Sequence, residues 1–391
     1  MYYDRLDGNQ VYSMSGQPPV GYQPTAYYGN ITNLASAGGL IGPPGLTMWS
    51  GKTAIPQNRS VSLSVQQNIG WGTVLDVSYQ LNQGIHRYYL RNLNAIPLGA
   101  DFAAQYLDPT TAISNPQNPP HLPAAFERPN YPGFGDINQH DFGGRSNYNG
   151  LQIAVNHRLQ HGLTFGFSFA WSRFMSVTSF DPLVPNNNAR NYGPNGADRR
   201  FIGGINYSYD LPKPGQMLHS KVLGAVADNW TLSGITTFSS GAPFTPSFST
   251  TNGLDITGSG SEGARINVVG NPFANVPQGT PGLPHGVMYF NPNAFAEPAV
   301  GTIGTAGVNV MYGPSFINWD MTLGKRIPLG RESRSLTLRV EAFNVFNHVQ
   351  FTGVNSSFIF NAAGVNTNSN IGALTGERGP RVVALELRAA F

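Results

Sequence analysis

Nine stretches of this chain alternate apolar and polar residues with a period of two, the pattern of β-strands that have two different faces. In the last stretch, RVVALELRAAF, one row holds Val383, Leu385 and Leu387, and the other row holds Glu386 and Arg388. The nine stretches lie near residues 60–67, 69–81, 147–159, 161–173, 199–211, 229–240, 316–327, 335–346 and 381–391. Such strands need an apolar environment on one side of the sheet and water on the other.

The connections between these stretches also alternate, between short and long. Short connections are expected at 68–70, 160–162 and 328–334, and a medium one at 212–228. Long connections, rich in Gly, Pro and Asn, are expected at 82–146, 174–198, 241–315 and 347–380. A compact soluble domain rarely has several structureless loops beyond about 15 residues. Outer-membrane barrels do have them, with short turns on one side of the membrane and long loops on the other.

The predicted fold class is therefore all-β, an antiparallel up-and-down transmembrane β-barrel segment of about nine strands with long extracellular loops. Counting back from Phe391 on the short-turn side places residue 60 on the long-loop side. Residues 1–59 are thus predicted to be an extracellular loop region, and residues 60–391 the C-terminal part of the barrel. Bacterial single-chain barrels have even strand counts, so nine strands indicate part of a larger barrel.

The composition fits this interpretation and excludes others. Charged residues make up 11% of the chain, against roughly 25% in an average soluble domain. The net charge of +3 includes no basic stripe, which argues against nucleic acid as a partner. With no cysteine there is neither a disulfide scaffold nor a thiolate metal site. No apolar stretch is long enough for a transmembrane helix, and the N-terminus does not resemble a secretory signal.

Four of the five tryptophans lie on the apolar rows. Trp71 and Trp230 would begin strands after the shorter turns, whereas Trp171 and Trp319 would lie beside long loops. An indole ring has an apolar body and one N–H group, so it is suited to the boundary between acyl chains and headgroups. The four residues predict an aromatic girdle at each rim.

Charged residues lie almost entirely on the polar rows, with His157 and Lys325 as the exceptions. The last three strands contribute six of them to one face if they pair: Asp320, Arg326, Arg339, Glu341, Glu386 and Arg388. An ion-pair ladder facing water in the lumen is the favoured interpretation. Contact with a solute or with another part of the protein is the alternative.

Several segments resemble the C-terminal barrel of TonB-dependent outer-membrane receptors, in particular the Oar-like branch. These segments are SNYNGLQIAVNHRLQHGLTFGFSFAWSRF, GADRRFIGGINYSYDLP, DNWTLSGITTFSSGAPFT, RVEAFNVFNHVQF and the terminal strand. The resemblance covers most of 60–391. It implies a non-enzymatic receptor or transporter segment for an unidentified ligand, with outer-membrane lipid around it.

The resemblance also implies partners. They are a plug domain, through which the TonB system would act, and an N-terminal barrel portion, and neither is recognisable in this sequence. The terminal strand, with Leu385, Leu387, Ala389 and Phe391 on its outer row, resembles the signal read by the barrel-assembly machinery. A secreted or surface adhesin or carbohydrate-binding protein is the alternative, and a soluble β-rich hydrolase is a further one that lacks a recognisable carboxylate pair or triad.

The sequence contains no strong catalytic motif and indicates no cofactor. Ser168 in GFSFA is interpreted as an ordinary strand residue, and the segment 255–263 as a turn rather than a cation site. His140 with Asp136 and Asp141 could bind a metal, although ordinary loop residues are the better interpretation. Tyrosines in the outer loops, such as Tyr88 and Tyr89, suit sugars or peptides, but solvation explains most of them.

Overall fold

The computed structural model describes residues 45–390 with gaps at 52–53, 117, 178–182, 184–187, 281–282, 284–285 and 331–333. In this part of the chain, nine strands follow one another through one sheet. They are β1 Gln57–Gly70, β2 Thr73–Asn92, β3 Ile137–Gln160, β4 Leu163–Val177, β5 Phe201–Asp210, β6 Trp230–Ser239, β7 Phe316–Pro328, β8 Ser335–Phe343 and β9 Val382–Ala390. Phe391 and most of the predicted loop 1–59 lie outside the described residues.

Each of these strands pairs antiparallel with the next one along the chain, which is the predicted up-and-down order. Two short strands extend the sheet, Leu46–Trp49 beside β3 in parallel and Tyr192–Pro194 beside β4. The sheet does not close on itself, and β1 and β9 are its two edges.

The pairing register keeps the predicted rows together across all nine strands. One row of pairs runs Val65, Val77, Ile153, Phe169, Gly203, Phe238, Ile317. The neighbouring row runs Asp76, Ala154, Ser168, Gly204, Thr237, Asn318. Because residues directly opposite each other point to the same side of a sheet, the sheet has one apolar face and one polar face.

Two strands are longer than the alternation predicts. β2 and β3 remain paired as far as Asn92 and Asn138, so the first long loop spans 93–136 rather than 82–146. The register shifts between Gly84 and Arg87, and His86 has a φ of 54°. A bulge of this kind breaks the period of two, which hides the outer half of both strands from the sequence pattern.

The buried apolar core does not involve the nine strands of the sheet. It is formed by residues of the loops 240–315 and 344–381: Ile266, Phe290, Ala294, Phe295, Ala306, Met311, Phe358, Phe360 and Ile371. Four short ladders brace it: Ser247–Thr250 with Ser357–Phe360, Asn267–Val268 with Phe295–Ala296, Pro243–Phe244 with Met311–Tyr312, and Phe351–Val354 with Leu374–Glu377. The loops predicted to lack structure thus fold into a unit with its own core.

The helices are short. They comprise α1 Asn188–Asn191, α2 Pro214–Met217 and α3 Lys221–Ala227, and the 3₁₀ turns Ala100–Phe102, Ala104–Tyr106 and Pro292–Ala294. No helix in the described part of the chain is long and apolar enough to cross a membrane.

Candidate functional site: the polar face and the outer loops

The centre of the polar face contains a cleft of about 740 Å³. Strands β2 to β7 form its floor, with Asp76, Gln152 and Thr237 among the lining side chains. Arg378, from the loop before β9, also lines the cleft, and its guanidinium carbon lies 3.9 Å from the centre of the Phe316 ring. Ser168 lines the cleft as a mid-strand residue. The cleft therefore combines one carboxylate, one amide and several hydroxyls with one cation.

The polar face also includes apolar patches that the sequence analysis did not single out. By their register, Ile202, Ile235 and Phe343 lie on this face. They are 51%, 55% and 47% exposed. A face that only contacts water has no need of such side chains, although scattered ones are common on protein surfaces.

The six charged residues predicted to share a face do so in the structure. The pairs Arg339 with Glu386 and Thr322 with Glu341 lie directly opposite each other. Arg339 forms ion pairs with Glu341 at 2.6 Å and with Glu386 at 3.0 Å. These three side chains form the predicted ladder across β8 and β9. Because the groups are substantially exposed, each pair contributes little to stability.

The other three residues do not join that ladder. The Asp320 carboxylate accepts hydrogen bonds from the Asn318 amide and from the backbone N–H of Asn344, both at 2.9 Å. Arg326 and Arg388 lie on either side of Thr337 in the register. That this face looks into a lumen stays a prediction.

The four tryptophans occupy different settings. Trp71 lies in the turn after β1 with a φ of 48° and is 84% exposed, so it does not begin a strand as predicted. The glycines on either side, with φ of 89° and 66°, complete the tight turn. Trp171 is 61% exposed, Trp319 packs edge-on against Phe346 at 5.8 Å, and Trp230 lies under Lys325 at 5.3 Å. Their girdle role stays a prediction.

A polar network that the sequence does not indicate holds the loop unit at the long-loop end of the sheet. The buried Asp198 accepts hydrogen bonds from the backbone N–H of Phe174 at 2.5 Å and from the Tyr312 hydroxyl at 2.6 Å. Arg200 donates to the same hydroxyl at 3.1 Å. Tyr312 is more than 110 residues from Asp198 and Arg200, so no local pattern could reveal the network.

The proposed metal ligands His140, Asp136 and Asp141 do not come together. The His140 ring is stacked between Trp49 at 4.8 Å and Tyr88 at 5.0 Å. Asp136 pairs with Arg128 at 2.7 Å, and Asp141 pairs with Arg91 at 3.9 Å. Each of the three residues therefore has structural contacts of its own. The carboxylate of Asp255, in the segment 255–263, accepts hydrogen bonds from Thr257 and Gly260 of its own turn.

A different cluster lies in the loop 93–136, which the sequence analysis missed because its members are up to 26 residues apart. Asp101, His121 and Glu127 offer atoms within 4.8 Å of one another. His121 Nδ1 lies 2.8 Å from Glu127 and 3.0 Å from the carbonyl oxygen of Leu122. Since both neighbours are acceptors, Nδ1 carries the proton and donates. The cluster is a hydrogen-bonded cross-link within the loop.

All three pKa values in this cluster are raised. Burial raises the pKa of Asp101 and of Glu127, against the lowering effect of His121. Burial lowers the pKa of His121, but the hydrogen bond that it donates to Glu127 and the charge of Asp101 outweigh this effect. A group whose pKa rises on folding stabilises the folded state when protonated.

We therefore expect the loop 93–136 to dock more firmly at pH 6 than at pH 8. The contribution of His121 is complete below its ordinary pKa of 6.5 and is lost as the pH rises through the raised value. The raised pKa values of Asp101 and Glu127 also favour the folded loop at lower pH, but their effect begins at their ordinary values of 3.8 and 4.5, so the difference between pH 6 and pH 8 is assigned to His121. Amide exchange over residues 100–127, corrected for the intrinsic pH dependence, measures the effect. His121→Gln should flatten the profile, and protection that increases with pH would contradict the assignment.

The fold and the site define a class of protein. A meander of antiparallel strands with one continuous apolar face, short turns at one end and large folded loops at the other is the wall of an up-and-down transmembrane β-barrel. In the described residues the apolar strand rows do not meet in a dry interior, so the sandwich expected of an adhesin gains no support.

Residues 1–384 match the model of a family described as outer membrane beta barrel domain. The chain belongs to this family, and its location is the bacterial outer membrane. The predicted fold class is confirmed, as is the recognition of the chain as a portion of an outer-membrane β-barrel. No curated protein sequence matches the chain.

Solved structures with a similar course of the chain include outer-membrane transporters. The outer membrane transporter YddB from Escherichia coli is 10% identical with a TM-score of 0.37, over 90% of this chain and 34% of that chain. The FrpB iron transporter (F3-3 variant) from Neisseria meningitidis is 12% identical with a TM-score of 0.38, over 88% and 32%. The chain thus spans about a third of the length of these proteins, and identities this low concern the fold alone.

Proposed function

We propose that this chain supplies part of the wall and the outer loops of a TonB-dependent receptor or transporter for an unidentified ligand, without catalysing a reaction. The observation that carries the proposal is the cleft of about 740 Å³ on the polar face, next to the folded loop unit. Ligand sites in proteins combine such concave surfaces with a few well-placed polar groups.

The outer loops support this role because they are folded. Tyr289, Tyr312 and Arg200 lie where the loop unit meets the strand ends, and the Tyr289 hydroxyl donates to the carbonyl oxygen of Tyr312 at 2.9 Å. A binding surface built on packed residues loses less entropy when a ligand binds than mobile loops would. Ligand capture outside, followed by passage along the polar face, is the proposed path.

The polar face would then contact a plug supplied by another segment. The ladder of Arg339, Glu341 and Glu386 provides hydrogen-bonding groups, and the exposed Ile202 and Ile235 provide apolar contacts. Movement of the plug by the TonB system would open this path. No residue is assigned a catalytic role in the proposal.

Further strands would complete the barrel. All nine residues of β9 and all but the first of β1 are exposed, because each strand has a neighbour on one side only. In lipid an unpaired strand edge costs several kcal/mol per backbone group, on the order of the penalty for a buried unsatisfied polar group. We propose that an N-terminal barrel portion pairs with these edges, and that the barrel-assembly machinery reads Leu385, Leu387, Ala389 and Phe391.

Uptake by whole cells tests the proposal. Bacteria that carry the complete gene are compared with a deletion strain for growth on a panel of ferric chelates, oligosaccharides and peptides as limiting nutrients. Arg378→Ala and Asp76→Ala are expected to reduce the use of one nutrient, because both side chains line the cleft. Inactivating TonB in the same strain should abolish that use.

Arg334→Ala, in the short connection between β7 and β8, serves as the matched control for Arg378→Ala, and the amount of each variant in the outer membrane is measured in parallel. Nutrient use that continues without TonB would overturn the proposal. Equal loss in the control and the cleft variants, with equal amounts of protein, would overturn the assignment of the cleft.

A further inference from the structure

The connection between β5 and β6 folds into a compact helical hairpin with an apolar surface. α2 and α3 cross where a Cβ atom on Gly215 would lie 2.2 Å from the Cα of Gly224, so this crossing requires glycine. The buried Asp228 carboxylate closes the hairpin by accepting hydrogen bonds from the backbone N–H groups of Gly215 at 2.7 Å and Gln216 at 3.1 Å. The hairpin therefore has a defined shape.

Four large apolar side chains of this hairpin face outward. Met217, Leu218, Val222 and Val226 are 72%, 70%, 78% and 68% exposed. Lys213 and Lys221 are exposed on the same short segment. Leaving apolar surface in water costs roughly 25 cal/mol per Å². Exposed apolar side chains grouped in this way mark a surface that contacts a protein or a membrane.

The end of the hairpin is fastened to the apolar face of the sheet. Lys325 and Trp230 lie directly opposite each other in the register, in the same row as Leu338. Lys325 Nζ donates to the carbonyl oxygens of Val226 at 3.0 Å and Asp228 at 2.5 Å. The Trp230 indole donates to Val226 at 2.8 Å. The two side chains thus hold the C-terminal end of α3 on the apolar side.

These contacts also explain the exception in the charge pattern. Lys325 is 5% exposed although it lies on the apolar row, and its ammonium is satisfied by helix carbonyls and by the Trp230 ring. Cations are stabilised at the carbonyl end of a helix. The charged side chain of Lys325, on the apolar face, thereby attaches the hairpin to the sheet.

We propose that the hairpin 212–228 is an interfacial membrane anchor, which lies in the headgroup and upper acyl region of the leaflet at the short-turn rim. Its exposed apolar side chains belong to a hairpin that is attached on the apolar side of the barrel wall, and its two lysines match the phosphates of phospholipid headgroups. The occupant of this surface is therefore phospholipid. The anchor fixes the depth of β6 and β7 in the membrane.

The absence of cysteine in the chain allows a direct test. The protein carrying Val222→Cys is labelled with an environment-sensitive fluorophore and reconstituted into vesicles of phosphatidylethanolamine and phosphatidylglycerol. We expect blue-shifted emission and quenching by lipids brominated near the headgroup end of the acyl chain. Leu63→Cys, on the apolar row of β1 and 70% exposed, provides the lipid-facing reference.

Ile113→Cys is the matched aqueous control, because Ile113 is an exposed aliphatic residue, 57% accessible, in the loop 93–136. Its label should emit at longer wavelength and escape the brominated lipids. If the label at position 222 behaves like the one at position 113, the hairpin lies in water and the proposal fails. Blue-shifted emission without quenching by lipid would show a protein partner instead, which also overturns it. All three labelled sites are exposed, and heat-modified migration on gels verifies folding.

Discussion

Replacing Val340 with arginine is expected to prevent most of the protein from assembling in the membrane. Val340 lies in the middle of β8, between Leu323 of β7 and Leu385 of β9 on the apolar face. Arginine on the lipid side of a barrel costs about 2–4 kcal/mol at the bilayer midplane. The nearest carboxylates of the described strands, Glu341 and Glu386, lie on the opposite face and cannot pair with it.

The matched control is Thr322→Arg. Thr322 lies opposite Glu341 on the polar face, so the new guanidinium would have a carboxylate partner and water. Thr337→Arg is a harsher control, since Arg326 and Arg388 flank that position in the register. Leu338→Arg should give an assembled fraction between those of Val340→Arg and Thr322→Arg. Leu338 lies opposite Lys325 near the short-turn rim, where the cost of an arginine on the lipid side falls to about 0–1 kcal/mol.

Assembly is measured as the heat-modifiable, protease-resistant fraction in isolated outer membranes. Val340→Arg should leave a small fraction, and Thr322→Arg a fraction close to that of the parent protein. If both variants assemble equally poorly, the faces are wrongly assigned. If both assemble well, the apolar face does not contact lipid.

The sheet could be predicted because its determinants are local. Alternation of the kind seen at Leu163, Phe165, Phe167 and Phe169 is set by the strand geometry alone, and the register then keeps each row on one face. The shared face of Arg339, Glu341 and Glu386 followed from the same parity. In the sheet, the alternating pattern failed at two places. A bulge between Gly84 and Arg87 interrupts the period of two, and Trp71 lies in a turn rather than in a strand.

The loop unit could not be predicted because its core is assembled from distant segments. Phe290 and Phe358 are 68 positions apart, and each lies in a stretch dominated by Gly, Pro and Asn. The short ladders that bring them together contain two to four residues per strand, too few for a periodic signal. The role of Lys325 escaped prediction for a similar reason, since its acceptors are 97 and 99 residues away.

Phe358→Ala is expected to unfold the loop unit while the sheet remains intact. Phe358 is 1% exposed, and its ring lies 6.2 Å from Phe290, 5.5 Å from Phe295 and 5.7 Å from Phe360, measured between ring centres. Truncating a buried phenylalanine to alanine costs about 3–5 kcal/mol. The core of the loop unit comprises nine buried residues, so this loss is a large share of its packing energy.

Amide exchange separates the two parts of the molecule. In Phe358→Ala, exchange should accelerate at Ile266, Met311 and Ile371, which share the core, and remain slow in β3 and β4. Phe126→Ala makes the same chemical change at a residue that is 61% exposed in the loop 93–136, and it should leave both parts unchanged. Acceleration that also spreads through β3 and β4 would show that the loops and the barrel wall fold as one cooperative unit. In that case the loops would also stabilise the polar face of the sheet, because Arg378 of the loops contacts Phe316 of β7 at the cleft.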